Sequence, residues 1–156
     1  MIVHSKVRGV SARALGRFAA RAQRAAGVRG GVDVLITSSA ELRRLNRRFR
    51  GEDQATDVLS FPSADETAGD LAISADIAAR NARRLGHTAA DEMKILILHG
   101  LLHLAGYDHE TDAGEMARKE ARLRQALGLP AALIERTSED GRRNGTRRNA
   151  GKRRRS

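Results

Sequence analysis

Between Ile95 and Ala105 the chain reads ILILHGLLHLA, apolar nearly all the way round a helix and interrupted only by a glycine and two histidines. A helix that is apolar on every side has to be covered by protein on every side, so the rest of the domain is built around this one. Thr88 and Asp91 can cap its start, and the stretch is too short to span a bilayer. A single histidine in such a helix is ordinarily a packed core residue. Here His99 and His103 stand four apart, on one face, where two neutral imidazoles can hold a single cation. Gly106 offers the left-handed conformation that ends a helix, and the chain can then double back to bring His109 of HGLLHLAGYDHE toward the same point. Three protein ligands leave the fourth tetrahedral position open to water or substrate, the pattern of a catalytic zinc and not of a closed structural cage. The expectation is one Zn2+ per chain on His99, His103 and His109, although nickel, cobalt or copper also suit a nitrogen-rich site. His4 and His87 stand alone, in a strand and a helix-end turn, and are read as structural or solvated.

Around this helix the sequence alternates short strand-like runs with amphipathic helical patterns. Ile2 and Val3 begin a first strand, and Ser11 caps a helix whose apolar face is Leu15, Phe18, Ala19 and Ala22. Val32, Val34 and Ile36 mark a second strand. Ser38 with Glu41 then forms a capping box for a helix carrying Leu42, Leu45 and Phe49 on its apolar stripe. The polar segment RGEDQAT is a loop before a strand over residues 57–61 that Pro62 closes, and Gly69–Ile73 forms another, with Ser74 opening a helix to about Leu85. A last helix is expected from Asp112 to Leu127, ended by Gly128 and Pro130, with Met116, Ala121, Leu123 and Leu127 toward the core.

Charge adds a partner class but not a fold. The chain carries a formal +10, yet eight of its 29 Lys and Arg lie in GRRNGTRRNAGKRRRS, residues 141–156, which has no acid. The remainder holds 21 basic and 19 acidic residues, a net of +2. Residues 1–136 are therefore read as the domain and 137–156 as a disordered basic tail, which is either an RNA affinity arm acting by counterion release or a solubilising end. There is no cysteine, which rules out disulfides and thiol chemistry, and the N-terminus lacks the apolar core of a signal peptide. A cytoplasmic location without membrane attachment is expected. The aromatics are only Phe18, Phe49, Phe61 and Tyr107, so no stacking platform for single strands is evident and binding is expected to lean on phosphates.

HGLLHLAGYDHE, with the upstream TDVLSFP (Thr56–Pro62) and GDLAIS (Gly69–Ser74), resembles the YbeY family of bacterial ribosomal-RNA maturation endoribonucleases over roughly residues 30–128. The resemblance implies an α+β fold. With the pattern above, this gives a single small domain with a mixed sheet of about four strands flanked by about five helices, the metal site lying on the buried central helix and the turn after it. It implies zinc-dependent, single-strand-specific RNA cleavage in 16S rRNA 3′ end maturation, ribosome biogenesis and ribosome quality control. Ribosomal RNA is then the substrate, and ribosome-associated proteins are candidate partners. Carried over residue by residue, His99, His103 and His109 are the ligands, and the functional arginine ahead of TDVLSFP is Arg50. A guanidinium can fork onto two phosphate oxygens while a Lewis-acidic metal neutralises charge on the same group. Asp70 and Asp108 are weaker candidates, for lining the RNA groove and for orienting a ligand histidine.

Two other readings fit parts of the pattern. The spacing of His99, His103, Gly106 and His109 also matches metzincin proteases, which place a glutamate base after the first histidine; here that position is Gly100. A zinc hydrolase of another substrate, such as a protease lacking that base, is therefore the second choice. The third is a non-catalytic ribosome- or RNA-binding factor, against which the open ligand position argues.

Overall fold

The computed structural model describes residues 2–52, 56–63, 68–108 and 111–131. His109, the expected domain end at residue 136 and the basic tail lie outside these residues. Strand β1 (Ile2–Ser5) leads through helix α1 (Ala12–Ala26) to β2 (Val32–Thr37) and α2 (Ser39–Arg50), followed by β3 (Val58–Pro62) and β4 (Gly69–Ser74). Helices α3 (Ala75–Leu85), α4 (Ala89–Leu104) and α5 (Glu115–Ala126) complete the described chain. The sheet order is β1-β2-β4-β3, parallel except for β3, which runs antiparallel to β4. This is the mixed four-stranded α+β arrangement anticipated from the sequence.

Period-two alternation sorts the strands into two faces. Val34 pairs with Val3 and with Leu71, and Ile36 with Ile73, so these side chains share the face packed against α1 and α4. The α1 residues Leu15, Phe18, Ala19 and Ala22 are all buried there. Ile97, Leu98, Leu101 and Leu102 of α4 are fully buried, so the central helix is enclosed as its all-round apolarity requires. On the other face α2 closes a smaller core of Leu42, Leu59 and Ala72, with Leu45 and Phe61 packed against it.

The expected caps form. The hydroxyls of Ser11, Ser38, Ser74 and Thr88 accept from the backbone N–H of Ala14, Glu41, Ile77 and Asp91 at 3.1–3.2 Å. Two boundaries and the burial of one side chain differ from expectation. Pro62 is the last residue of β3 and not its stop, which the edge position permits because no neighbour needs its missing N–H. Helix α5 starts at Glu115 and not Asp112, because both Asp112 carboxylate oxygens are committed to the N–H groups of Gly114 and Met116, folding a turn ahead of the helix. Phe49 does not join the buried stripe of α2: it is 61% exposed where Leu42 is fully buried. His87 is structural, its Nε2 meeting Glu92 Oε2 with both side chains buried, while His4 is exposed on β1.

Asp76 fastens the starts of two helices. Its Oδ1 accepts from Ser39 N–H at 2.7 Å, at the start of α2, and from the Ser74 hydroxyl at 3.1 Å, which caps α3. Burial pushes this carboxyl up, but the hydrogen bonds from Ser39 and Ser74 outweigh it and hold the pKa below the usual aspartate value. A lowered folded pKa contributes stability that is present above the unfolded value, near 3.9, and is lost as pH falls through the folded value. Asp76→Ala is expected to cost about 0.5–1 kcal/mol at neutral pH, the low end of the capping range because the group is exposed. The difference in Tm from the parent should shrink as melts are taken below about pH 4; a gap constant to pH 2.5 would contradict this role.

Candidate metal centre

The turn that ends α4 is built as the sequence suggested. Gly106 has φ +99°, its N–H bonds to His103 O at 3.0 Å, and Tyr107 N–H bonds to Leu102 O at 3.1 Å. This Schellman arrangement lets α4 stop with its last carbonyls paired. One turn apart on α4, His99 and His103 bring their rings to a centroid separation of 4.8 Å, with the two Nε2 atoms 3.2 Å apart.

The other nitrogen of His99 explains why its ring points this way. Nδ1 lies 2.8 Å from Glu120 Oε1, and Glu120 Oε2 in turn accepts from Arg124 Nη2 at 3.2 Å, one turn along α5. Burial raises the Glu120 carboxyl, but the hydrogen bond from His99 and the Arg124 charge more than offset this and hold its pKa below the ordinary glutamate value. An ionised carboxylate only accepts, so Nδ1 carries the proton, which leaves Nε2 as the nitrogen that would ligate a metal. Two imidazole nitrogens sharing a tetrahedral zinc, with Zn–N of about 2.0–2.1 Å, stand about 3.3 Å apart. The observed pair fits that donor geometry. Among the described residues no third His, Cys, Asp or Glu completes the set.

Gly100, between the two histidines, faces the sheet. A Cβ there would lie 2.8 Å from Leu71 Cδ2 and 3.1 Å from Leu71 Cδ1, and Leu71 is itself buried on β4. The Gly100 carbonyl accepts from the Ser60 hydroxyl of β3 at 3.3 Å. This close seating packs α4 on β3 and β4, and any side chain at this position, the glutamate of a metzincin included, would have to displace the Leu71 methyls.

Arg50 ends α2 and is exposed, just ahead of Gly51 in the left-handed conformation. The ring of Phe49, next to it, packs on Phe61 near the end of β3, while Ser60 on the opposite face of that strand reaches Gly100. The last turn of α2 and the His99–His103 segment of α4 therefore flank the same edge strand from its two sides. Asp70 is exposed on the face that α2 covers in part, since its neighbours Leu71 and Ile73 point to α4, and Asp108 is exposed in the turn. The carboxylate that meets His99 is Glu120, which sequence reasoning missed. Its signal was present: Met116, Glu120 and Leu123 share one helical stripe, where a carboxylate interrupts the apolar face.

Fold and site together define a small α+β protein whose central helix carries a candidate metal centre. The family model described as Endoribonuclease YbeY matches residues 3–128, and the chain belongs to that family. It is 59% identical over 140 residues to the endoribonuclease YbeY of Koribacter versatilis (strain Ellin345), covering 89% of this chain and 92% of the relative. It is 57% identical over 123 residues to that of Solibacter usitatus (strain Ellin6076), covering 79% and 84%. The solution structure of TM1509 from Thermotoga maritima matches with a TM-score of 0.59 at 29% identity, over 81% of this chain and 89% of that one. The match extends the likeness seen in the sequence motifs back through α1 and into β1.

Proposed function

We propose that this endoribonuclease is zinc-dependent and cuts single-stranded ribosomal RNA in the cytoplasm, in 16S rRNA 3′ end maturation and ribosome quality control. The observation that carries the reading is the pair of Nε2 atoms 3.2 Å apart, with His99 held by a buried carboxylate. His99, His103 and His109 would hold the ion, which as a Lewis acid would neutralise charge on a phosphoryl group. The residues of the chain do the rest. Glu120 fixes the tautomer and aim of His99, and Arg50 grips two non-bridging oxygens of the scissile phosphate from the far side of β3. No helix among the described residues is long and apolar enough to cross a membrane. Ribosomal RNA in an assembling particle is the substrate that this reading favours, with ribosome-associated proteins as partners.

The test is cleavage of a labelled single-stranded ribosomal-RNA fragment by protein of measured metal content. Arg50→Ala is expected to slow cleavage about a hundredfold, the scale of losing one charge-stabilising donor, and Arg50→Lys to recover little of it. Equal rates for parent and Arg50→Ala would remove Arg50 from the site. Binding without any cleavage by the zinc-loaded parent would favour a binding factor instead.

A further inference from the structure

Phe49 is 61% exposed, and Ile2 is the other large apolar side chain exposed among the described residues. Phe18, by contrast, is buried in the core. The Phe49 ring is nevertheless held in place. It meets Phe61 nearly edge-on, with centroids 5.6 Å apart and planes at 66°, and Phe61 is anchored in the small core with Leu42 and Leu59. The Arg48 guanidinium lies 5.4 Å from the Phe49 centroid, and Arg47 and Arg50 belong to the same last turn of α2. An exposed aromatic with one arginine over its ring and two more in the same helical turn has the two parts that unpaired nucleotides require, a π surface for the base and cations for the flanking phosphates.

The geometry points to Phe49, seated on Phe61, with Arg48 against its ring and Arg47 in the same turn of α2, as a stacking ledge for one unpaired base of the RNA. This rests on the ribonuclease reading above and supplies it with a physical source of single-strand preference, because a duplex keeps its base faces inside its own stack. Asp70 stands directly across from Phe61 in the strand register and is exposed. Its carboxylate repels phosphate and accepts from a base amino group, so the base edge is directed toward Asp70 and the backbone toward the arginines. Sequence reasoning found no stacking platform because the aromatics are so few, and it placed Phe49 on the apolar stripe of α2. The helix instead carries it out to the rim of the sheet, where Phe61 is its ring partner.

The test measures fluorescence anisotropy of a short unstructured RNA with full-length protein carrying His103→Ala, so that binding is read without cleavage. Adding Phe49→Leu is expected to weaken binding about tenfold, the scale of one lost base–aromatic stack, while Phe49→Trp stays within about twofold. Affinity for a hairpin duplex should not change. Phe49→Leu should leave the salt slope as it was, whereas Arg47→Gln should lower it by about 0.7, the share of one single-strand phosphate. Thermal melts and zinc content of Phe49→Leu in the otherwise unchanged protein serve as folding controls. Unchanged affinity of Phe49→Leu, while the parent still cuts single-stranded RNA, overturns the ledge alone. Unchanged affinity with loss of self-association in sedimentation also overturns it and makes the ring a protein contact. A parent that neither binds nor cuts single strands removes the ribonuclease reading and the ledge with it.

Discussion

Stripped of its metal, or carrying His103→Ala, the protein is expected to cut single-stranded RNA about a thousandfold more slowly than the zinc-loaded parent. That loss corresponds to about 4 kcal/mol of transition-state charge stabilisation, the scale a Lewis-acidic ion supplies. His103 is the sharper of the two α4 positions to test, because His99 is also tied to Glu120 and its removal disturbs α5 as well. Metal analysis should show zinc lost from His103→Ala, and a circular dichroism melt should show the fold kept. Readdition of zinc should restore the stripped parent and not the variant. Cleavage at the same rate in all samples would identify a contaminating ribonuclease and leave the zinc assignment without support.

Glu120→Ala is expected to damage stability and metal affinity together. Glu120 stands between His99 and Arg124, and Arg124 is only 6% exposed. Removing the carboxylate leaves that guanidinium buried without its counter-charge, a change that costs about 3–5 kcal/mol and lowers Tm by about 10 °C in a domain of this size. Zinc affinity should fall about 10–100-fold, because the ring of His99 loses the acceptor that sets its tautomer and direction. Glu120→Gln separates the two effects. Its amide oxygen still accepts from Nδ1, so most of the ring orientation survives while the charge is gone, and zinc binding should fall less than in Glu120→Ala. Competition with a chelating indicator measures the affinities. Glu120→Ala with parental zinc affinity would make Glu120 a structural residue and nothing more.

What the sequence disclosed was what depends on neighbours along the chain. His99 and His103 are legible because two ligands one helical turn apart must be spaced by four, and the turn at Gly106 is legible because a left-handed residue has to end α4. The four hydroxyl caps are local in the same way, each bonding to an N–H three residues on. Glu120 was missed because it meets His99 across 21 residues of chain, through the packing of α5 on α4, and the (i, i+4) partner Arg124 looks from the sequence like an ordinary surface pair. Phe49 was misread for a related reason. Periodicity gives the face of a helix but not how fully the sheet covers that face, and Phe49, in the last turn of α2, meets Phe61 of the edge strand and stays 61% exposed. Arg50 came from the family likeness and not from spacing, since four other arginines of α2 share its composition.

The tight seat of Gly100 on Leu71 also bears on which enzymes this scaffold can become. Changing the glycine to glutamate would write the HExxH signature into the chain with one residue altered. The first carbon of that side chain would stand 2.8 Å from a methyl of the buried Leu71, so the leucine would have to shift, an overpacking that costs about 1–3 kcal/mol. A route from this nuclease scaffold toward peptide hydrolysis therefore starts with a packing penalty at Leu71, which a smaller residue on β4 would relieve. The two signatures lie one substitution apart in sequence, and the contact between α4 and β4 sets a cost on that step.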